Sequence, residues 1–454
     1  MKMVQENRAS FGSRLGVILA TAGSAVGLGN VWRFPTMAGE NGGAAFILIY
    51  IGCVIVLGIP CMLNEFIIGR RAQANTARAY TKLSGGTPWR FIGYFGVFTG
   101  FLITSYYAVV AGWCLQYVYA SIVGGLNGDP AYVEQYFNSF STNPVKPVVW
   151  MLVFFLITHF VIVRGVEKGI EKASKMMMPL LFILLLVIAV ASCMLPGASK
   201  GISFLFSPDF SKVDGDVFLG ALGQSFYSLS LGMGCLCTFA SYFSRDTHLT
   251  KSAVQIISID SLIAILAGLM IFPAVFSVGG KVDAGASLVF ITLPNVFNQA
   301  FSGVPLLGHI IALLFYLLLA VAALTSLISL HEVSTAFVHE EMHVSRTTGA
   351  SIVTVLCAIL GVFCSLSFCC PELSLFGMSL FDLFDFTTGQ LFLPIGGFLT
   401  CLFVGWYVNR DVLHDELTNQ GTLRGRFFNF YLFCVRFVCP ICILLIFLHQ
   451  LGVI

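Results

Sequence analysis

Ser24-Ala25-Val26-Gly27-Leu28-Gly29-Asn30 lies inside the first apolar stretch of the chain, and Ser230-Leu231-Gly232-Met233-Gly234 lies inside the sixth. Each places two glycines one residue apart where a straight helix should continue. A glycine in a helix interior costs about 1 kcal/mol relative to alanine, so two close together favour unwinding. The surroundings decide what that means. The 454 residues are 57% hydrophobic and 10% charged, with a mean hydropathy of +0.90, whereas an ordinary soluble domain carries about 25% charge. A formal charge of +2 leaves no basic footprint for nucleic acid. A soluble enzyme, a disordered regulator and a nucleic-acid binder are excluded. The chain reads as an all-α polytopic membrane protein, with a lipid bilayer as its surroundings.

Apolar runs long enough to cross a bilayer fall at about 14–37, 44–69, 91–124, 147–163, 176–195, 217–243, 252–278, 305–338, 350–368, 377–408 and 427–451. That predicts eleven transmembrane helices. The stretch 280–304, interrupted by Gly285 and Pro294, reads as a re-entrant or surface helix. With a cytoplasmic N-terminus, eighteen of the 24 lysines and arginines fall in inner segments, four in outer ones and two (Arg33, Arg436) within spans. The positive-inside rule then orients the multi-pass chain with its N-terminus inside and its C-terminus outside, and a plasma (inner) membrane is the expected location. Residues 1–13 are polar and lack a signal-peptide core, so the first apolar stretch is expected to be retained. Most of the 14 cysteines, among them Cys53, Cys61, Cys114, Cys193, Cys401 and Cys442, sit in apolar runs as small hydrophobes. No disulfide framework is readable, and the adjacent Cys369 and Cys370 are not expected to bridge.

The two interruptions lie 205 residues apart, each in the first crossing of a five-span half. The halves are expected at 14–195 and 217–408, preceded by a cytoplasmic segment 1–13, joined by an extracellular loop 196–216, and followed by a loop and last span at 409–454. Unwound backbone at membrane depth is tolerated only where it lines a cavity or is buried in protein. Matching glycine breaks in two halves are a pointer to a secondary transporter's binding site. The competing explanation is close helix packing of the GxxxG kind, but a GxG spacing does not put both glycines on one face. Arg33, Glu65, Asp260 and Asp385 lie at or within spans, where each costs about 2.5–3.5 kcal/mol to insert. Interfacial snorkelling could account for Arg33 and Asp385 singly, and poorly for the short side chains of Glu65 and Asp260.

The run from Arg14 through SAVGLGNVWRFP (24–35) and ENGGAAF (40–46) resembles the neurotransmitter:sodium symporter family. So do GIPCMLNEFIIGR (58–70), GQSFYSLSLGMG (223–234) and ALTSLISL (323–330). The resemblance implies a bacterial amino-acid:sodium symporter with a LeuT-type fold: a five-plus-five inverted repeat with broken helices 1 and 6. It implies that a substrate carboxylate meets the Gly27 and Gly29 amides and the Tyr107 hydroxyl, while its amine meets oxygens near Ala25, Tyr227 and Ser230. Ile103, Tyr107, Tyr227, Ser228, Ser230, Met233, Ser326 and Leu330 would complete an uncharged pocket for a neutral, hydrophobic or aromatic L-amino acid. Gly27 stands where biogenic-amine carriers place Asp, which argues against a decarboxylated amine.

Two co-transported Na⁺ ions are implied. The first would use Ala25, Asn30, Ser228 and Asp260, and the second Gly23, Val26, Ala322, Thr325 and Ser326, since hard oxygens suit a hard cation. The hydroxyls of Thr325 and Ser326, taken alone, could simply bond back to the preceding helical turn. Asp260 stands where many members carry Asn, and Ala264 where others place Glu or a chloride-binding Ser, so no chloride requirement is expected. Arg33 and Asp385 match an extracellular gate. Arg8 and Glu340 match a cytoplasmic one, ringed by Phe11, Ser241 and Tyr242, with Glu332 in its polar lining. Nine residues separate Gly169 from Pro179, a spacing seen in members whose inner helix unwinds; a plain kink is the alternative. The assembly could be a monomer or a homodimer. Rival readings are a non-transporting receptor or channel-like relative, and an intramembrane zinc protease using His339-Glu340-Glu341-Met342-His343, an HExxH motif.

Overall fold

The computed structural model describes residues 9–280 and 285–453. Apart from one two-residue hairpin, Ser374–Leu375 with Met378–Ser379, its regular elements are helical. Among the described residues nine helices are long and apolar enough to cross a membrane, and a tenth crossing forms if Arg14–Ala25 and Gly29–Glu40, bent by 56° from each other, count as one. The run at 217–243, expected as a further crossing, is two shorter helices, Gly215–Ser228 and Cys235–Ala240, with six residues between them. In the described part of the 280–304 stretch, Leu288–Thr292 and Leu293–Ala300 form a short helix, not among those long enough to span, whose Leu288, Val289, Phe290 and Leu293 are fully buried.

Backbone polar groups in hydrocarbon must be satisfied internally, and the helix ends show how. Ser13 accepts a hydrogen bond from the Gly16 amide, Asp214 from Val217, and Ser345 from Thr348. Pro305 opens the Pro305–Glu341 helix, where its missing N–H costs nothing. Burial sorts the helices into two shells. Pro88–Val123 and Pro305–Glu341 have 78% and 72% of their apolar window buried and pack along each other at the centre. Lys146–Val163 and Arg346–Leu366, at 33% and 39%, turn side chains such as Val149, Leu156, Phe160, Val355 and Ile359 outward, as lipid-facing helices do. The first broken segment packs against Pro305–Glu341 and Leu249–Ser277, and the Cys235–Ala240 part of the second against Pro305–Glu341 and Ile59–Ala72.

Of the two alternatives for Gly169 to Pro179, this conformation shows a continuous helix and no unwound turn. Gly165, at φ 86°, ends the preceding helix, and Val166–Glu171 forms a wide π-turn running directly into Lys172–Cys193. Both the Gly169 and Ile170 amides donate to the Gly165 carbonyl, so the glycine is absorbed in a continuous helix and Pro179 is carried within it.

Candidate binding site between the broken helices

In the first break the helix ends at Ala25 and Val26 turns extended, at φ −75° and ψ 109°. In the second, Ser230, Gly232 and Gly234 all take positive φ, at 54°, 84° and 77°. Glycine adopts that region freely and serine does not. Ser230 is held there: its amide donates to the Tyr227 carbonyl at 3.1 Å and its hydroxyl to the Ser24 carbonyl of the other break at 3.0 Å. The freed amides of the second break are taken up by Glu65, whose carboxylate accepts from Gly232 at 2.8 Å and Cys237 at 3.2 Å. This short acid inside a span is thus a cap for a broken helix, where an anion faces the positive end of the helix dipole.

Between the breaks lies a cavity of about 60 Å³. All eleven residues expected around a substrate line it: Ala25, Gly27, Gly29, Ile103, Tyr107, Tyr227, Ser228, Ser230, Met233, Ser326 and Leu330. Ser24, Leu28, Tyr106, Cys235 and Leu393 also line it, and sequence reasoning missed these five. A Cβ at Gly27 would strike Ser326 Oγ and sit 3.2 Å from the Tyr107 hydroxyl, and one at Gly29 would press on the Tyr227 ring at 3.3 Å. The glycines therefore keep backbone exposed to the cavity. One expectation needs adjustment. The Gly27 amide is engaged with Asn30 Oδ1 at 3.0 Å, and it is the Leu28 amide that points to the Tyr107 hydroxyl, at 3.4 Å.

Beside the cavity, four buried groups from four segments meet. Asn30 Nδ2 donates to Asp260 Oδ1 at 2.8 Å and approaches Ser228 Oγ at 3.3 Å. Ser228 Oγ donates to Asp260 Oδ2 at 3.0 Å, and Tyr50 donates to the same oxygen at 3.3 Å. Sequence reasoning missed Tyr50, whose contact is across 210 residues. A second oxygen cluster forms where Thr325 Oγ1 lies 2.9 Å from the Ala322 carbonyl and 3.4 Å from that of Val26, and Ser326 Oγ donates to Val26 at 3.2 Å. Gly23 packs against Thr325, where a Cβ would lie 3.3 Å from it. All five residues expected at that position thus share one neighbourhood.

Tyr107 and Tyr227 also line a vestibule of about 670 Å³ on one side of the cavity, together with Arg33 and Asp385. The Arg33 guanidinium stacks 4.0 Å above the Tyr227 ring, and no ion pair joins Arg33 to Asp385 among the described residues. The opposite end is closed. Glu332, fully buried, holds Arg346 at 2.5 Å and accepts from the Tyr242 hydroxyl at 2.6 Å. Arg70 pairs with Glu416 at 2.6 Å and donates to the Thr247 carbonyl. Phe11 is packed among Phe239, Tyr242 and Phe243. Arg8 lies outside the described residues; Glu340 accepts from the amide and side chain of Asn75, at 2.9 and 3.0 Å. Ser241 is buried in the same region.

The family model for the sodium:neurotransmitter symporter family matches residues 8–139 and 132–454. The chain belongs to this family. The symporter is 37% identical to an uncharacterised sodium-dependent transporter, YhdH, of Bacillus subtilis, over 99% of each chain, and 35% identical to one from Haemophilus influenzae over 98% and 99%. Its structure superposes on that of MhsT in complex with L-phenylalanine with a TM-score of 0.87, at 43% identity, covering 98% of this chain and 100% of the other. It is accordingly a sodium-dependent membrane transporter and not an enzyme. The HExxH reading fails on geometry as well: the helix ends at Glu341, His343 takes φ 54°, and His339 Nδ1 is 2.6 Å from the Val344 carbonyl. The two histidines do not share a helix face.

Proposed function

We propose that this symporter takes up a neutral hydrophobic or aromatic L-amino acid with two Na⁺ ions and without chloride, by alternating access. The carrying observation is the buried Asn30–Ser228–Asp260 cluster beside the cavity. It supplies a fixed carboxylate, with hard oxygens for a cation, where a chloride ion would otherwise be needed to balance charge. The cavity's apolar wall of Ile103, Met233 and Leu330 fits an uncharged side chain, and MhsT, solved with L-phenylalanine, supports that choice. The Leu28 amide and Tyr107 hydroxyl, with the Gly27 and Gly29 backbone, would take the carboxylate. Oxygens near Ala25, Tyr227 and Ser230 would take the amine.

The first ion would sit with Ala25, Asn30, Ser228 and Asp260, the second with Gly23, Val26, Ala322, Thr325 and Ser326. Two charges moving across about 100 mV supply roughly 4.6 kcal/mol, on the order of a thousandfold accumulation at about 1.4 kcal/mol per tenfold. In this reading the broken 217–243 segment completes eleven crossings, and the sealed end, rich in arginine, faces the cytoplasm. Arg33 with Asp385 would close the vestibule end, and Glu340 with Arg8 would close the other.

The test is uptake of labelled L-phenylalanine into proteoliposomes under an inward Na⁺ gradient, with the twenty amino acids as competitors. Accumulation that persists in gluconate and is displaced by hydrophobic amino acids is expected. Collapse on chloride removal would overturn the ion assignment, and displacement only by charged amino acids would overturn the substrate class. Asp260→Asn should lower apparent Na⁺ affinity at least tenfold, read from the sodium dependence of uptake.

A further inference from the structure

Outside the residues that line the cavity and the vestibule, three thiols from three different helices converge. Cys61 in Ala44–Ala72, Cys401 in Leu380–Tyr407 and Cys439 in Phe428–Gln450 have sulfur atoms all within 4.8 Å of one another. Cys61 and Cys401 are 3.7 Å apart. Among the described residues this is the one group of three or more histidine, cysteine or acidic side chains gathered so closely. The residues are 4%, 1% and 0% exposed, so solvent does not compete at the sulfurs. Filling space between helices needs only apolar volume, and does not need three sulfurs turned toward one point.

The surroundings favour sulfur as a ligand. Asn64 Nδ2 donates to Cys401 Sγ at 3.5 Å, and the Asn64 amide is fixed in turn by the Tyr431 hydroxyl, which donates to its Oδ1 at 2.6 Å. Such an outer hydrogen bond orients a metal ligand and supports its negative charge. At a metal–sulfur bond of about 2.3 Å, three sulfurs around a trigonal ion stand about 4 Å apart, close to the spacing here. Zinc prefers four ligands, and three sulfurs without nitrogen or carboxylate suit a soft cation such as Cu(I). A monovalent ion also suits the low-dielectric position. It displaces one proton, M⁺ + RSH giving M–SR + H⁺, so the site stays neutral and no redox partner is required.

We propose that Cys61, Cys401 and Cys439 form a three-sulfur site for a soft monovalent cation, which staples three helices of the bundle together. The experiment uses the full chain with Cys369→Ser and Cys370→Ser, because that more accessible pair, 3.6 Å between sulfurs, would bind the probe independently. Purified protein is equilibrated with Ag(I), a redox-inert analogue, and bound metal is counted by mass spectrometry after gel filtration. About one Ag(I) per chain is expected, falling at least fivefold in Cys401→Ala and in Cys439→Ala, while Cys53→Ala with Cys442→Ala retains it. Binding unchanged in both cluster variants, or equal retention of Zn(II), would overturn the site. X-ray absorption at the silver edge on the intact cluster requires no cluster variant. A first shell of three sulfurs supports the proposal, and a shell of two sulfurs or of nitrogen and oxygen refutes it.

Discussion

The two ends of the molecule differ in how they use charge. At the vestibule end, Arg33 lies over an aromatic ring and Asp385 is exposed; neither charge is locked to the other. At the sealed end, Glu332 and Arg70 are buried and each is held by a paired charge and further hydrogen bonds. Removing one partner of a buried pair strands the other in low dielectric and costs about 3–5 kcal/mol, whereas an exposed pair is worth about 0–1 kcal/mol. The sealed end is therefore the harder one to open in this conformation, and the vestibule end is poised to exchange solute with its side of the membrane.

The largest effect should come from Arg346→Ala, which strands Glu332. Uptake is expected to fall at least tenfold and the protein to lose several degrees of thermal midpoint in detergent. Arg346→Ala combined with Glu332→Gln should recover part of the stability. If the single variant melts like the parent, the contrast between the ends is wrong. Next comes Tyr227→Ala, which removes both a lid ring and the surface under Arg33; a KM increase of about tenfold is expected, in keeping with about 1–2 kcal/mol. Tyr227→Phe, which keeps the ring, should stay within about twofold of the parent, since only the hydroxyl is lost. Smallest is Asp385→Asn, at an exposed position where substitutions usually stay within about 0.5 kcal/mol. Its thermal midpoint should not move, and any change should appear in KM alone. A fall in stability there would show that the vestibule charges are locked after all.

Much of this was legible in the sequence because the cues were local. The glycine pairs Gly27/Gly29 and Gly232/Gly234 announced the breaks, and the pocket positions come from the motifs that resemble the symporter family, not from spacing, since Ile103, Tyr107, Ser326 and Leu330 lie on other helices. What was missed depends on distant partners. Glu65 stood out as a short acid in a span, but its role as a cap exists only once Gly232 and Cys237 are folded onto it. Arg70 finds Glu416 across 346 residues, and no sequence pattern announces that pairing. Cys61 and Cys401 each read as a small hydrophobe and Cys439 is not singled out, since their spacing says nothing about convergence. The HExxH motif misled because it spans a helix end: the last of its residues is already past the C-cap. The Gly169–Pro179 spacing leaves unwinding and a plain kink equally open, and in this conformation a π-turn houses the glycine without breaking the helix.

The crowding around Gly27 bears on redesign. A carboxylate side chain introduced there, to convert the carrier toward amines lacking an acid group, would run into Ser326 before it met any ligand. Ser326 also belongs to the oxygen cluster around Val26, so trimming it to make room would disturb a neighbouring ion position. Retargeting this carrier is thus a coupled problem, in which cargo selectivity and ion coupling draw on the same hydroxyl and cannot be tuned one at a time.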